Sequence, residues 1–330
     1  LKTCKNIESG VRFDFDGVHC CCANTWQSPA IVTAAEMASG GVDYDLVLER
    51  RRRLHDALNA GDPVAGDCLR CSRVFETDAA NVDFSRLGVP DHSSGFNISH
   101  ATFCNMRCGY CLYTQMDNFK PAAYGNDRIV EFIEQFRKRG KINPGTWIEY
   151  NGGEPTLLPG FEELLEYLLV NNIGQVCLFS NAIAFKQAVY DGLAANRMYL
   201  TVSIDAGTPE TFAKVRGVPG SVLNRVAENL RRYQSSGTRN LWPKYIITAD
   251  NKTDADLSGF VEMMRELRPS TVYVCPEFPY GDQEIPRSSV EFGAKLLRAL
   301  REAGLGTYIQ TDDMKGDPKL MRYSKDVRVA

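Results

Sequence analysis

The sequence predicts an α/β chain: a partial, TIM-like (β/α)6 barrel over residues 96–281, preceded by a small cysteine-rich domain over residues 1–76. Three observations predict it. Short β-like runs alternate with helical segments after Gly95. A dense cluster of chain breakers, Gly88-Val89-Pro90-Asp91-His92-Ser93-Ser94-Gly95, closes a linker over residues 77–95. Six of the eleven cysteines fall before residue 72, as Cys4, then Cys20, Cys21 and Cys22, then Cys68 and Cys71. Residues 282–330 read as a C-terminal helix and tail.

The elements follow in order. From Asp43 to Asn59, the residues Leu46, Val47, Leu54, Ala57 and Leu58 fall near helical spacing, and Gly61-Asp62-Pro63 ends that helix. The run Arg50 to Arg53 inside it reads as a solvated face. Strands are expected at Phe96–Ala101, Trp147–Asn151, Gln175–Asn181, Tyr199–Asp205, Lys244–Ala249 and Thr271–Glu277. Helices are expected between and after them, at Asp127–Arg139, Phe161–Val170, Val222–Gln234, Leu257–Leu267 and Val290–Ala303. Six such units fit a partial barrel, with a flat doubly wound sheet as the alternative. No Gly-x-Gly-x-x-Gly follows the first strand, and no P-loop is present.

Composition bounds the function. The 330 residues are 44% hydrophobic and 24% charged, which excludes a largely disordered or collagen-like chain. A net charge of −3 gives no electrostatic case for nucleic acid. The opening Leu1-Lys2-Thr3-Cys4 does not read as a signal peptide, and no apolar run approaches the ~20 residues of a membrane helix, so the expectation is a cytoplasmic protein with no membrane partner. Without a secretory signal, eleven cysteines favour metal or redox chemistry over disulfides.

The strongest signal is Cys104-Asn105-Met106-Arg107-Cys108-Gly109-Tyr110-Cys111, a C-x3-C-x2-C loop directly after the first barrel strand. Three thiolates on so short a loop suit three irons of a [4Fe-4S] cluster, whose full protein set would be four cysteines. The fourth iron is then open to a small ligand. Zinc is the alternative, although zinc knuckles usually pair C-x2-C units and add histidine.

This loop, with aromatic Tyr110 before its last cysteine, resembles the signature of the radical S-adenosylmethionine superfamily. Gly152-Gly153-Glu154-Pro155 after the second strand resembles the GGE(P) motif of that family. Ser180-Asn181, the pair Ser203 and Asp205, and Arg216-Gly217 resemble its later motifs. The resemblance covers roughly residues 95–280. It implies a [4Fe-4S] cluster on Cys104, Cys108 and Cys111. It also implies S-adenosylmethionine held by Tyr110, Gly152, Gly153, Glu154, Asn181, Ser203, Asp205 and Arg216. The implied chemistry is reductive cleavage of that cofactor to a 5′-deoxyadenosyl radical, which takes a hydrogen atom from substrate. A flavodoxin- or ferredoxin-type donor would supply the electron. The cofactor carries the difficult chemistry while the protein orients it.

Alternation of side chains along strands places Thr201, Ser203 and Asp205 on one face of the fourth strand, Glu149 and Asn151 on one face of the second, and Thr271, Tyr273, Cys275 and Glu277 on one face of the sixth. Those faces are more polar than the branched apolar filling of an ordinary barrel. Cys275 is the candidate catalytic residue, a thiol placed to return a hydrogen atom to a substrate radical; a buried small hydrophobe is the alternative. Cys177 reads as core.

The N-terminal cysteines resemble an auxiliary iron–sulfur module of the SPASM or twitch type. The likeness rests on Cys4-x12-Gly17-x4-Cys22 and Cys68-x2-Cys71, with Asp16-Gly17-Val18-His19 ahead of the triplet. Two departures stand out: the module precedes the barrel rather than following it, and its cysteines suffice for one cluster. The implied ligands are Cys4, Cys68, Cys71 and one of the triplet. Cys22 fits the family spacing, Cys20 and Cys21 remain open, zinc is the alternative metal, and His19 reads as a surface or outer residue. The pre-barrel residues are then taken by cysteines, which favours a small polar metabolite (sugar, aminocyclitol or nucleoside) as substrate. The net reaction is then dehydrogenation or epimerisation. Modification of a ribosomally made peptide is the alternative, and a non-catalytic iron–sulfur or zinc protein the remote one. The tail with Asp312, Asp313 and Lys315 either closes over the barrel mouth or is a simple tail.

Overall fold

A computed structural model of the full chain describes residues 1–21, 29–90, 95–115, 123–277, 284–309 and 318–329. Cys22, Asp91, His92, Asp312, Asp313, Lys315 and the 281/282 boundary therefore lie outside the described residues. Among the described residues, no helix is long and apolar enough to cross a membrane.

In chain order the strands are β1 (Lys2–Thr3), β2 (Val11–Asp14), β3 (Gly17–His19), β4 (Ala30–Thr33), β5 (Phe75–Glu76), β6 (Phe96–Ile98), β7 (Trp147–Tyr150), β8 (Gln175–Ser180), β9 (Met198–Ser203), β10 (Leu241–Ile247), β11 (Thr271–Pro276) and β12 (Gly306–Ile309). The helices are α1 (Lys5–Ser9), α2 (Ala34–Ser39), α3 (Tyr44–Ala60), α4 (Leu112–Gln115), α5 (Asn126–Arg137), α6 (Phe161–Val170), α7 (Gln187–Ala194), α8 (Pro209–Arg216), α9 (Val222–Gln234), α10 (Asp254–Leu267), α11 (Arg287–Glu302) and α12 (Pro318–Val329). The predicted strand–helix alternation is present in a mixed α/β chain with a mostly parallel sheet of the partial-barrel type. The six predicted strands and the helices named with them all form, with ends displaced by up to three residues.

The chain divides into two compact units. The first comprises residues 1–103 and 119–178. Its strands run β8-β7-β6-β2-β3-β4, with β8, β7, β6 and β2 parallel and β3 and β4 antiparallel additions. The cysteine-rich segment thus continues the sheet through β2, which pairs with β6 in register Val11↔Phe96 to Phe13↔Ile98. Packing explains the pairing: Val11, Phe13, Phe96 and Ile98 are fully buried, and the Phe13 ring meets Phe132 of α5 edge-on at 5.2 Å.

α3 begins at Asp43, whose carboxylate accepts from the Leu46 N–H, and ends at Gly61 in the left-handed region. The arginine run corrects the expectation of a solvated face. Arg52 and Arg53 are exposed, but Arg51 is wholly buried and donates to the carbonyls of Glu8, Gly10, Phe84 and Arg86. Its position, four after Val47 and three before Leu54, puts it on the apolar stripe, and its planar fork of donors satisfies carbonyls at the end of α1 and in the segment before β6.

The second unit comprises residues 104–118 and 179–330, with parallel strands in the order β12-β11-β10-β9. The buried face of α9 repeats at Leu223, Val226, Leu230 and Tyr233, the spacing of one helical stripe.

Candidate functional site

In the second unit the cysteine loop is held by backbone. The Arg107 N–H donates to Arg216 O at 3.1 Å, and the Gly109 N–H to Val215 O at 3.1 Å. Gly217 is needed there: it turns with φ +65°, and a Cβ would run into the Arg107 carbonyl. This is the physical content of the Arg216-Gly217 pair.

Three side chains from distant positions converge beneath the loop. Asp205, fully buried, lies just past β9 with φ +60°. One of its carboxylate oxygens accepts from the Tyr110 hydroxyl at 2.6 Å and from Arg216 Nη1 at 2.7 Å; the other accepts from the Ile246 N–H at 2.7 Å. Arg216 also meets the Tyr110 hydroxyl and points Nε at Met106 Sδ, 3.3 Å away. Burial works to lower the Arg216 pKa, but its neighbours Tyr110, Cys108 and Asp205, the last a carboxylate, together outweigh it and the guanidinium stays charged. Burial pushes both Tyr110 and Cys108 up. Asp205 and Arg216 therefore act on the loop itself.

The loop thiols sit among hydrogen-bond donors. Cys104 Sγ is 3.4 Å from the Met106 N–H and 3.9 Å from Asn181 Nδ2, and Asn181 also donates to Asn105 Oδ1 at 2.7 Å. Donors on sulfur, with a buried guanidinium beside Cys108, fit an anionic iron–sulfur group. Cys108 is buried while Cys104 and Cys111 are part-exposed. Ser203 is half-buried at the end of β9.

In the first unit, Gly152 and Gly153 follow β7. The Gly153 N–H donates to Ala101 O at 2.9 Å and the Glu154 N–H to Phe103 O at 2.8 Å. A Cβ on Gly153 would enter the Phe103 carbonyl, and Gly152 has φ +105°. Glu154 is buried and accepts from the Thr156 N–H and hydroxyl. Glu149 accepts from Asn97 at 3.2 Å. Cys177 is buried core, as read.

The sequence reading left two features unnamed. Lys244 of β10 is buried, in register with Ser203 on one side and Tyr273 on the other, and it hydrogen-bonds the Cys275 thiol. On the same face, four rings form a continuous row: Tyr199–Trp242 at 4.4 Å, Trp242–Tyr273 at 5.1 Å and Tyr273–Tyr308 at 4.8 Å. The alternation Trp242, Lys244, Ile246 was the available signal. Cys275 itself is fully buried, and burial pushes its thiol up to about 11.

In the N-terminal region, Asp14, Asp16 and His19 place one ligand atom each within 4.8 Å of one another, a spacing able to hold a cation. His19 is buried rather than at the surface, with Nε2 at 2.8 Å from Asp16 Oδ1, and Asp14 pairs with Arg12.

The chain is similar to the probable GTP 3′,8-cyclase of Methanosarcina acetivorans, 25% identical over 179 residues that cover 53% of this chain and 51% of that one. It is similar to the GTP 3′,8-cyclase of Haemophilus influenzae, 29% identical over 143 residues, 42% of this chain and 41% of that one. The chain spans about half the length, or less, of these curated relatives. Among solved structures it is similar in fold to Streptococcus suis SuiB bound to precursor peptide SuiA, with a TM-score of 0.53 and 13% identity over 98% of this chain and 75% of that one. A family model, the Radical SAM superfamily, matches residues 98–264. That match runs from the last residue of β6 into α10 and takes in the three-cysteine loop, the glycine pair and the Asp205–Arg216 pair: the chain belongs to the radical S-adenosylmethionine superfamily.

Proposed function

We propose that this chain is an enzyme that cleaves S-adenosylmethionine reductively at an iron–sulfur cluster held by Cys104, Cys108 and Cys111. The observation that carries the reading is the loop itself, with three thiols in eight residues, N–H donors on the Cys104 sulfur and the Arg216 guanidinium beside Cys108. When bound, cluster and cofactor supply a 5′-deoxyadenosyl radical that takes a hydrogen atom from substrate. The chain's own residues bind and orient. In the first unit Gly152 and Gly153 lack the Cβ that would block a close main-chain approach, and in the second Ser203 offers a half-buried hydroxyl at the end of β9. Asn181 positions the loop through Asn105, and Asp205 with Arg216 positions it through Tyr110.

The N-terminal cysteines hold a second cluster with an electron-transfer role; it would accept an electron from the substrate radical if the net reaction were a dehydrogenation. Cys275 is the hydrogen-atom donor in an epimerisation: burial keeps it as the thiol, the form with a hydrogen atom to give. The thiyl radical left behind is reduced by one electron from a ferredoxin-type donor and one proton from solvent.

The likeness to a protein crystallised with its precursor peptide extends over 98% of this chain, and the likeness to the GTP 3′,8-cyclases over about half. This difference favours a ribosomally made peptide as substrate over the small polar metabolite that the sequence put first.

After anaerobic reconstitution, dithionite and S-adenosylmethionine are expected to yield 5′-deoxyadenosine, and Cys104→Ala, Cys108→Ala and Cys111→Ala each to yield none. Iron-loaded wild-type protein that forms no 5′-deoxyadenosine sinks the proposal. In deuterated water, Cys275→Ala is expected to keep 5′-deoxyadenosine formation and to lose deuterium from the product; unchanged incorporation removes Cys275 from the mechanism.

A further inference from the structure

We infer that Cys21 joins Cys4, Cys68 and Cys71 as the fourth thiolate of the N-terminal iron–sulfur site, with the Asn6 amide donating to its sulfur. This rests on the reading of the cysteine-rich segment as a cluster-binding module, and it departs from the Gly17-x4-Cys22 spacing that the family resemblance favours.

Local structure brings the four together. β1 pairs antiparallel with β5 in register Thr3↔Phe75, which sets Cys4, the residue capping α1, across from the turn closed by Val74 N–H to Cys71 O at 3.2 Å. The short helical turn Pro63–Arg70 carries Cys68, and the Cys71 N–H returns to Cys68 O at 3.4 Å. Cys20 and Cys21 follow β3, Cys20 in a bend, and their sulfurs meet different partners. Cys20 goes inward: it is 1% exposed, its sulfur lies 3.9 Å from the Ile7 carbonyl, and it bonds the buried Arg51. Cys21, part-exposed, receives the Asn6 Nδ2 donor at 3.0 Å. Asn6 stands two residues after Cys4 on the same first turn of α1, so the donor and one ligand come from a single element.

A hydrogen bond to a ligand sulfur stabilises the more negative, reduced cluster and raises its potential.

The experiment compares Cys20→Ala, Cys21→Ala and Cys22→Ala in the full chain after anaerobic reconstitution. Iron, cluster EPR and the shift of the barrel-cluster signal on adding S-adenosylmethionine are read together. Wild type is expected to hold about eight irons, four per cubane. Cys21→Ala is expected to fall to about four irons while keeping the signal that responds to S-adenosylmethionine, which also shows that it is folded. Cys20→Ala and Cys22→Ala are expected to keep both clusters. Should Cys21→Ala not fold, the nearly isosteric Cys21→Ser is expected to shift the second signal, and an unshifted signal overturns the assignment. Asn6→Leu is expected to move the potential of that signal to more negative values. Loss of the second cluster in Cys22→Ala with its retention in Cys21→Ala overturns the Cys21 assignment and leaves the module reading intact. A wild type that takes up only four irons, or zinc at this site, overturns both.

Discussion

Replacing Asp205 by Ala is expected to destabilise the protein by about 3–5 kcal/mol and to strip iron from the Cys104–Cys111 loop. The loss follows from leaving a buried guanidinium without its counter-charge. Arg216 is 5% exposed and Asp205 not at all, so water cannot replace the carboxylate. The same truncation removes the acceptor of the Tyr110 hydroxyl and leaves the Ile246 N–H without its partner. Tyr110 lies between Cys108 and Cys111, so the effect reaches the loop directly. Denaturant unfolding measures the first part and iron per chain after reconstitution the second. Asp205→Asn, which keeps an acceptor oxygen but not the charge, is expected to fall between wild type and Asp205→Ala. The double replacement Asp205→Leu with Arg216→Met is expected to cost less than the two single changes added together, because no charge is then stranded. A cost below about 1 kcal/mol with full iron content would show that the pair does not hold the loop.

The second large effect is a loss of stability in mild acid through His100. This side chain follows β6, is 2% exposed, and stacks near the Tyr124 ring at 5.6 Å. Burial lowers its pKa from 6.5 to about 4, and the Asn126 side chain offsets a small part of that. Between pH 4 and 6.5 the unfolded chain therefore holds more protons than the folded one, so stability rises with pH across that window. Above the window the contribution is complete; below it the contribution is gone. The loss is about 2 kcal/mol by pH 5 and on the order of 3 kcal/mol below pH 4. His100→Gln is expected to flatten this part of the curve, measured as the difference in unfolding free energy between pH 7 and pH 5. Equal slopes in the two proteins would mean that other groups carry the acid limb.

Much of the barrel was legible because its signals are local. Two-residue alternation and helical spacing lie within a dozen residues, and α6 and α9 begin and end where their apolar stripes do. Elements a few residues long escaped. β2, β3 and β4 have four, three and four residues, too few to show a period, and they are strands because β6 offers β2 a buried edge. α7 and α8, eight residues each, were missed for the same reason. Arg51 reads as a surface charge in any window of sequence, and only the carbonyls of residues 8, 10, 84 and 86 make its burial favourable.

The sequence alone brings three thiols together in the Cys104–Cys111 loop, because covalent spacing keeps them within eight residues whatever the rest of the chain does. It also marked Gly152 and Gly153 as positions of close approach, although the neighbour that the structure puts there is main chain. Tertiary structure decided the rest. It joined Asp205 to Tyr110 across 95 residues and Lys244 to Cys275 across two strands. It also chose which of two adjacent cysteines turns toward Asn6. Such choices depend on backbone direction and on what is packed on either side, and neither is written in the spacing of the residues concerned.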